Sequence, residues 1–357
     1  MRIAVLGLGF MGATHARAIQ SLPAVELAAV FSGDERKLSG DLSAVQGNLA
    51  TTASRLDFSG ARKYRELEDL LADRAIDAVD ICLPTHLHDW VAIEAMRAGK
   101  HVLVEKPMAL DAFGAGRMLS AARRSRRILM TAHVLRFFPE YQALGEALSG
   151  HTLRAATFRR SCATPDWSEW LTDPAQSGGG AFDLLIHDID MALHLWGEPQ
   201  SVAAVGCCDD SVDLVTAHLF YADGSVVTIE GGWKGRGEAP FQMGYSVTTD
   251  RAAIEYNSDG RPPCLYPREG APQPLPLRAE DPYAKEIAHF AEACRDNIAP
   301  PLCPPAESAR AVELARLILD ARTRKGAKLK LVGASADVPT GILPVGSRGA
   351  RQLADER

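Results

Sequence analysis

Asp183 and His187 stand four residues apart in Gly178-Gly179-Gly180-Ala181-Phe182-Asp183-Leu184-Leu185-Ile186-His187-Asp188-Ile189-Asp190, a glycine run that leads into a helical pattern. That spacing places both on one helical face, and Asp190 follows His187 by three. A carboxylate one turn from an imidazole orients it and tunes its pKa, as a general base near neutral pH requires. In a buried helix the same pair would be a plain hydrogen bond. His194, between Leu193 and Leu195-Trp196, is the contrasting case, a lone imidazole on an apolar stretch and read as structural. Lys106 follows the run Val102-Leu103-Val104-Glu105, and Pro107 then fixes the exit of the chain. In open α/β sheets ligands bind beyond the carboxyl ends of the strands, which is where Lys106 falls. An isolated lysine there would be a solvated charge; the Asp183–His187 cluster shifts the balance towards chemistry.

Gly7-Leu8-Gly9-Phe10-Met11-Gly12 is a GxGxxG placed directly after the apolar run Ile3–Leu6 and directly before a helical pattern. The first glycine permits a tight turn, the second admits a pyrophosphate to the backbone, and the third lets helix and strand approach. The helix N-terminus, at Phe10 and Met11, supplies N–H groups and the positive dipole end. In that context the motif points to a bound dinucleotide. The next strand ends Val30-Phe31-Ser32-Gly33-Asp34-Glu35-Arg36-Lys37. An acidic residue at its end would favour NAD and a basic one NADP. Ser32 occupies the slot and is neither. Ser32 with Arg36 and Lys37 suits the extra phosphate, Asp34 pulls the other way, and the reading leans to NADP over NAD.

The elements that must position these groups follow from periodicity. Ile3–Leu6, Val25–Phe31, Ala78–Cys82, His101–Glu105 and Ile128–Thr131 read as strands, several of them apolar throughout, as in a parallel sheet covered on both faces. Helical stretches lie between them; one near 87–98 carries Val91, Ala95 and Ala98 on one face and stops at Gly99. This alternation predicts a doubly wound α/β domain over residues 1–132. Beyond it, Leu214–Tyr221 and Ser225–Glu230 flank Ala222-Asp223-Gly224 as a hairpin, and Met243–Thr249 with Ala252–Tyr256 repeats the theme. Residues 133–332 are therefore expected to form a mainly antiparallel sheet with a few helices. A long Pro- and Gly-rich loop is expected over 260–282, helices near 283–297 and 306–325, and a loosely held tail over 333–357.

Composition narrows the function classes. The 357 residues carry 39 Lys+Arg and 45 Asp+Glu, a net charge of −6, with no basic run, so nucleic acid is not the expected partner. No apolar stretch reaches the roughly 18 residues of a membrane span. The N-terminus opens as a core strand rather than a leader, and the seven cysteines lack CxxC spacing, so neither a disulfide framework nor a metal site is expected. A cytoplasmic setting fits.

Taken together, these motifs resemble the glucose–fructose oxidoreductase / inositol dehydrogenase (Gfo/Idh/MocA) family. The resemblance rests on Gly7–Gly12 followed by His15, on Glu105-Lys106-Pro107, and on Gly178–Gly180 with Asp183, His187 and Asp190. It is supported by Pro84-Thr85-His86-Leu87-His88 and Ala98-Gly99-Lys100-His101. Leu185 is a departure, since relatives commonly have glycine two residues after the Asp. The resemblance implies an N-terminal Rossmann domain and a C-terminal α+β domain with an open, mostly antiparallel sheet, whose back face often builds dimers or tetramers. It implies His187 as the acid/base, Lys106 stabilising charge on the same oxygen, and Asp183 orienting His187 or binding a neighbouring hydroxyl. Pro84, Thr85 and His88 would lie along the cofactor and Glu105 near the nicotinamide ribose, with no metal required.

The implied substrates are sugars, inositols or other polyols. Asp166-Trp167-Ser168-Glu169-Trp170 is a candidate substrate loop, since indoles stack on sugar faces, although tryptophans also anchor loops. Arg136 and the pair Arg159-Arg160 are candidates for an anionic substrate, the pair fitting an outward strand face better. Two other functions remain open: the same enzyme class on an imine, enone or dihydrodiol, and a non-catalytic nucleotide sensor. Intact Lys106, Asp183 and His187 count against the sensor.

Overall fold

The computed structural model describes residues 1–47, 55–165, 167–209 and 211–331. The expected tail over 333–357 and Asp166 of the tryptophan loop lie outside the described residues. The chain divides into two compact units. Among the described residues, one holds 1–132 and 283–309 and the other 133–282 and 310–331. The segment 283–309, expected from sequence to belong with the second domain, thus packs with the first.

The first unit is a six-stranded parallel sheet. Its strands are β1 (Arg2–Leu6), β2 (Glu26–Phe31), β3 (Arg62–Tyr64), β4 (Ala78–Ile81), β5 (His101–Glu105) and β6 (Leu129–Ala132), in the order β3-β2-β1-β4-β5-β6. Helices α1 (Phe10–Ser21), α2 (Glu35–Leu38), α3 (Leu67–Ala72), α4 (His88–Arg97) and α5 (Ala112–Ser125) connect them. This is the Rossmann order, with its switch point between β1 and β4, where ligands lie beyond the carboxyl ends of the strands. Ile3–Leu6 and Val102–Val104 are fully buried, as strands covered on both faces must be. α4 ends as expected, with Gly99 in the left-handed region at φ +82°. The short edge strand β3, with two of its three residues charged, escaped the hydrophobic pattern.

The second unit carries helices α6 (Pro139–Ala147), α7 (Glu169–Thr172), α8 (Pro174–Ser177) and α9 (Gly180–Trp196). Its strands are β7 (Leu153–Cys162), β8 (Ser201–Cys208), β9 (Val212–Phe220), β10 (Val226–Lys234), β11 (Gln242–Thr249), β12 (Ala252–Asn257), β13 (Arg261–Pro267), β14 (Gln273–Pro274) and β15 (Leu329–Lys330). They form one nine-stranded sheet, ordered β14-β13-β12-β11-β7-β10-β9-β8-β15. All neighbours are antiparallel except β7 and β10, which run parallel with Ala155 opposite Val226. The expected hairpin is β9–β10, closed around Gly224. The stretch 260–282, expected as a loop, instead contributes β13. Its prolines are tolerated there because β14, its outer neighbour, is only two residues long. Two further helices, α10 (Pro282–Asp296) and α11 (Pro305–Thr323), follow. α9 packs on β7, β9 and β10. Its buried residues include Phe182, Ile186 and Ile189, and Leu184 joins Cys162 and Trp233 in a core cluster.

Candidate active site

In the first unit, β1 runs straight into the glycine turn. A Cβ on Gly12 would meet the carbonyl oxygen of Gly7 at 1.8 Å, so any side chain there would push α1 off the turn. Gly9 is the N-cap residue of α1. No side chain caps that end, and no acidic residue lies in the first turn. The leading N–H groups of a twelve-residue helix therefore stay available to an anion, and the cradle fits a dinucleotide pyrophosphate.

At the end of β2, Ser32 is buried and its Oγ accepts the Asp34 N–H at 3.1 Å. The Asp34 carboxylate caps α2 by accepting the Arg36 N–H at 2.8 Å. Arg36 is exposed and Lys37 half-buried. Glu35 of the same turn pairs with Arg65.

Lys106 follows the last residue of β5 and is half-buried; the Lys106–Pro107 peptide is cis. Beside it, Glu105 is buried, and its Oε2 accepts the Lys106 backbone N–H at 2.9 Å. Pro84 and Thr85 open a short 3-10 turn after β4, with Pro84 half-buried and Thr85 buried. His88 is 1% exposed, its Nδ1 2.8 Å from the Pro107 carbonyl oxygen and its Nε2 2.8 Å from that of Leu83. It thereby braces the loops that leave β4 and β5, and any bearing it has on a cofactor runs through them. Burial lowers its pKa against the pull of the two carbonyls.

In the second unit, the glycine run enters α9. Gly179, at φ +90°, lies where a Cβ would reach Asp213, and a Cβ on Gly180 would run into the Trp233 ring at 2.2 Å. Asp213 in turn accepts the Ala181 N–H at 3.1 Å and pairs with Arg322 of α11. Asp183 and His187 both keep partial exposure on α9. Asp190, a candidate partner of His187 by spacing, is fully buried. It is gripped by Arg136, whose Nε and Nη2 lie 2.8 and 2.7 Å from its two oxygens, and His133 Nε2 stands 3.6 Å away.

Arg136 is therefore committed inside the unit and is not open to an anionic substrate. The Arg159-Arg160 pair likewise splits. Arg159 points outward to Glu230, whereas Arg160 is buried, with Nε and Nη2 2.7 and 3.0 Å from Asp188 and Nη2 3.2 Å from the Tyr141 hydroxyl. Burial raises the Asp188 carboxyl against the pull of Arg160. At Asp190 burial also opposes the charge, but His133 and Arg136 outweigh it and hold the carboxyl low. Leu185 is buried, and His194, read as structural, is instead exposed. Trp167 and Trp170 are both half-buried, and the core contact of their loop is Leu171, packed on the Cys162–Leu184–Trp233 cluster.

On the face of the second sheet away from α9 lies a concavity of about 410 Å³, lined by Arg159, Glu230, Lys234, Glu255, Tyr256 and Arg261 among others. Its charges are largely paired already, Arg159 with Glu230 and Arg261 with Glu255. It lies apart from Asp183 and His187. Among the described residues, no helix is long and apolar enough to cross a membrane. All seven cysteines are free, and Cys207 and Cys208 are exposed.

Sequence reasoning missed the buried pairing of Arg136 with Asp190 and of Arg160 with Asp188, and the surroundings of His15. The available signal was a charged residue inside an apolar run. Pairing such residues across 28 or 54 positions needs the fold.

Comparison with known proteins accords with this architecture. Residues 1–133 match a family model described as an oxidoreductase family with an NAD-binding Rossmann fold, and residues 142–255 match the GFO/IDH/MocA C-terminal domain. The UDP-N-acetylglucosamine 3-dehydrogenase of Acidithiobacillus ferrooxidans is 31% identical over 237 residues, 64% of this chain and 66% of that protein. The myo-inositol 2-dehydrogenase of Thermotoga maritima is 30% identical over 198 residues, 56% of this chain and 55% of that protein. The alignments thus span about two thirds and about half of these relatives. The solved structure of the Acidithiobacillus enzyme superposes with a TM-score of 0.74 at 26% identity, covering 91% of this chain and 98% of that one. With both of its halves matched in order, the chain belongs to the Gfo/Idh/MocA family of oxidoreductases.

Proposed function

We propose that the protein is an NAD(P)-dependent oxidoreductase that moves a hydride between nicotinamide C4 and a hydroxyl-bearing carbon of a sugar, inositol or related polyol. The observation that carries this reading is the sorting of acidic groups on α9. Asp188 and Asp190 are consumed in buried ion pairs, whereas Asp183 and His187, one turn apart, keep exposure. The relatives named for UDP-N-acetylglucosamine and myo-inositol support a polyol-like substrate.

The residues present fit the dinucleotide, since the Gly7–Gly12 cradle and the uncapped α1 N-terminus offer what a pyrophosphate needs. When bound, the nucleotide supplies the hydride acceptor for oxidation or the donor for reduction. His187 takes the hydroxyl proton as the carbon is oxidised and returns it in the reverse direction. The Lys106 ammonium stabilises negative charge developing on that same oxygen. Asp183 orients the imidazole or holds a neighbouring hydroxyl, and Trp167 and Trp170 offer ring faces to the sugar. Glu105, Pro84 and Thr85 serve the cofactor side.

For the nucleotide, NADP is the better fit. The Asp34 carboxylate is used as a helix cap, which leaves Arg36 and Lys37 as the charges at the end of β2. The open face of the nine-stranded sheet, with its paired charges, suits a homodimer or homotetramer. Seven free cysteines accord with a reducing cytoplasm.

The test is nicotinamide fluorescence with NADH and NADPH, followed by turnover on a polyol panel. NADPH is expected to bind at least about tenfold tighter, roughly 1.4 kcal/mol. His187→Ala and Lys106→Ala are each expected to lose about 10²–10⁴-fold in kcat while still binding cofactor. Unchanged rates would remove both role assignments.

A further inference from the structure

His15 lies one turn beyond Gly12 on α1, and it is fully buried. A carboxylate faces each ring nitrogen. Nδ1 is 2.9 Å from Asp80 Oδ2, on β4, and Nε2 makes a 3.2 Å ion-pair contact with Glu105 Oε1, at the end of β5. Cys82 Sγ stands 3.6 Å from Nδ1 and 3.7 Å from Asp80 Oδ1, and the Tyr283 ring, on α10, is centred 6.1 Å away. The second oxygen of Glu105 accepts the backbone N–H of Lys106. An unbroken line of polar contacts therefore runs from Asp80 through His15 and Glu105 to the peptide that carries Lys106.

A neutral imidazole has a single N–H and would serve one of these carboxylates while facing the other with a lone pair. An imidazolium serves both and offsets one of the two negative charges that the site would otherwise bury. We propose that His15 is a positioning residue, an imidazolium clamped between Asp80 and Glu105 that ties the helix of the glycine turn to the strand end presenting Lys106.

The electrostatics agree with that geometry. Burial opposes charge on His15, but the Asp80 carboxylate outweighs it and raises its pKa well above the ordinary value. Burial likewise works against Glu105, and contact with His15 and Lys106 keeps its carboxyl below the usual range. Burial pushes the Cys82 thiol up, so it stays protonated and adds no charge of its own. The consequence for function rests on the assignment of Lys106 above. Movement of the α1 N-terminus and movement of the Lys106 backbone are coupled through one side chain.

The test uses the full chain. In ¹⁵N-histidine NMR, with His15 assigned by its loss in His15→Gln, both ring nitrogens should be protonated. They should stay so as the pH rises past the ordinary histidine range of about 6.5. In kinetics, His15→Gln should lose roughly 10²-fold in kcat with cofactor binding retained. Glu105→Gln should lose a similar amount, and the double variant little more than either single one. A neutral His15 at pH 7 would overturn the proposal, as would full kcat in a folded His15→Gln or strictly additive losses. So would a stoichiometric metal that disappears with His15. If Lys106→Ala leaves turnover intact, the catalytic reading fails, whereas the NMR state of His15 still stands or falls by itself.

Discussion

The two units hold their chemistry in place by opposite means. Lys106 leaves the end of a strand hydrogen-bonded on both sides, with Val104 opposite Ile81 of β4 and Thr131 of β6, and Glu105 opposite Ala132. The backbone ladder alone fixes the direction of that strand, and side chains need only trim its final peptide. Asp183 and His187 ride on a helix, which satisfies its own backbone and makes no ladder to the sheet below. Rotation and sliding of α9 must be stopped by side chains. Asp188 and Asp190, two residues apart and so on different sides of the helix, are seized by Arg160 from β7 and by Arg136 from the short turn at 134–136. A functional group on a strand is placed by topology, and one on a helix by buried charge.

That contrast is broken most forcefully at Asp190. Asp190→Ala leaves the Arg136 guanidinium buried without its bidentate carboxylate, and a cost of about 3–5 kcal/mol is expected. Urea unfolding measures it. The double variant Arg136→Met/Asp190→Leu should regain most of that stability, since a packed apolar pair is often as stable as a buried ion pair. If the pair positions α9, the double variant should still turn over more slowly than wild type. A double variant with full stability and full kcat would mean that packing alone aligns His187. Loss of less than about 1 kcal/mol in Asp190→Ala would mean the pair anchors nothing.

The next effect lies in the first unit, where backbone rather than charge sets the geometry. Gly12→Ala drives a Cβ into the Gly7 carbonyl. Cofactor binding should weaken about 100-fold, near 2.7 kcal/mol, with the thermal transition far less affected. Titration fluorescence checks it, and unchanged binding would show that α1 can retreat without cost. This region was also the more legible from sequence. GxGxxG, the apolar parallel strands and Gly99 are local signals, each read within a few residues. The second unit was legible only where its signals were local, as in the β9–β10 hairpin. The strand β7 pairs in parallel with β10 about 70 residues on, and the inward turn of Arg160 depends on that register. The three prolines in β13 read as loop because sequence carries no notice that its outer neighbour is two residues long. His15 was visible as part of a motif, yet its partners converge only because β4 and β5 lie side by side.

The smallest expected effect concerns pH, and it sharpens the same comparison because the buried groups titrate in opposite senses. Glu105 and Asp190 have carboxyls held below their ordinary range. Their stabilisation is complete above the unfolded value of about 4 and is lost as pH falls through the lowered folded values. Asp188 is raised by burial, so it lends no such acid-side loss. His15 is raised, so its stabilisation is complete below about 6.5 and drains away as pH rises through its folded value. Urea midpoints against pH should therefore fall on both sides of a plateau. His15→Gln should flatten the alkaline limb and leave the acid limb that Asp190 supplies, whereas Asp190→Asn should flatten the acid limb and Asp188→Asn should not. An alkaline limb that survives His15→Gln would place its origin outside the Asp80–His15–Glu105 line and return the strand end of the first unit to backbone control alone.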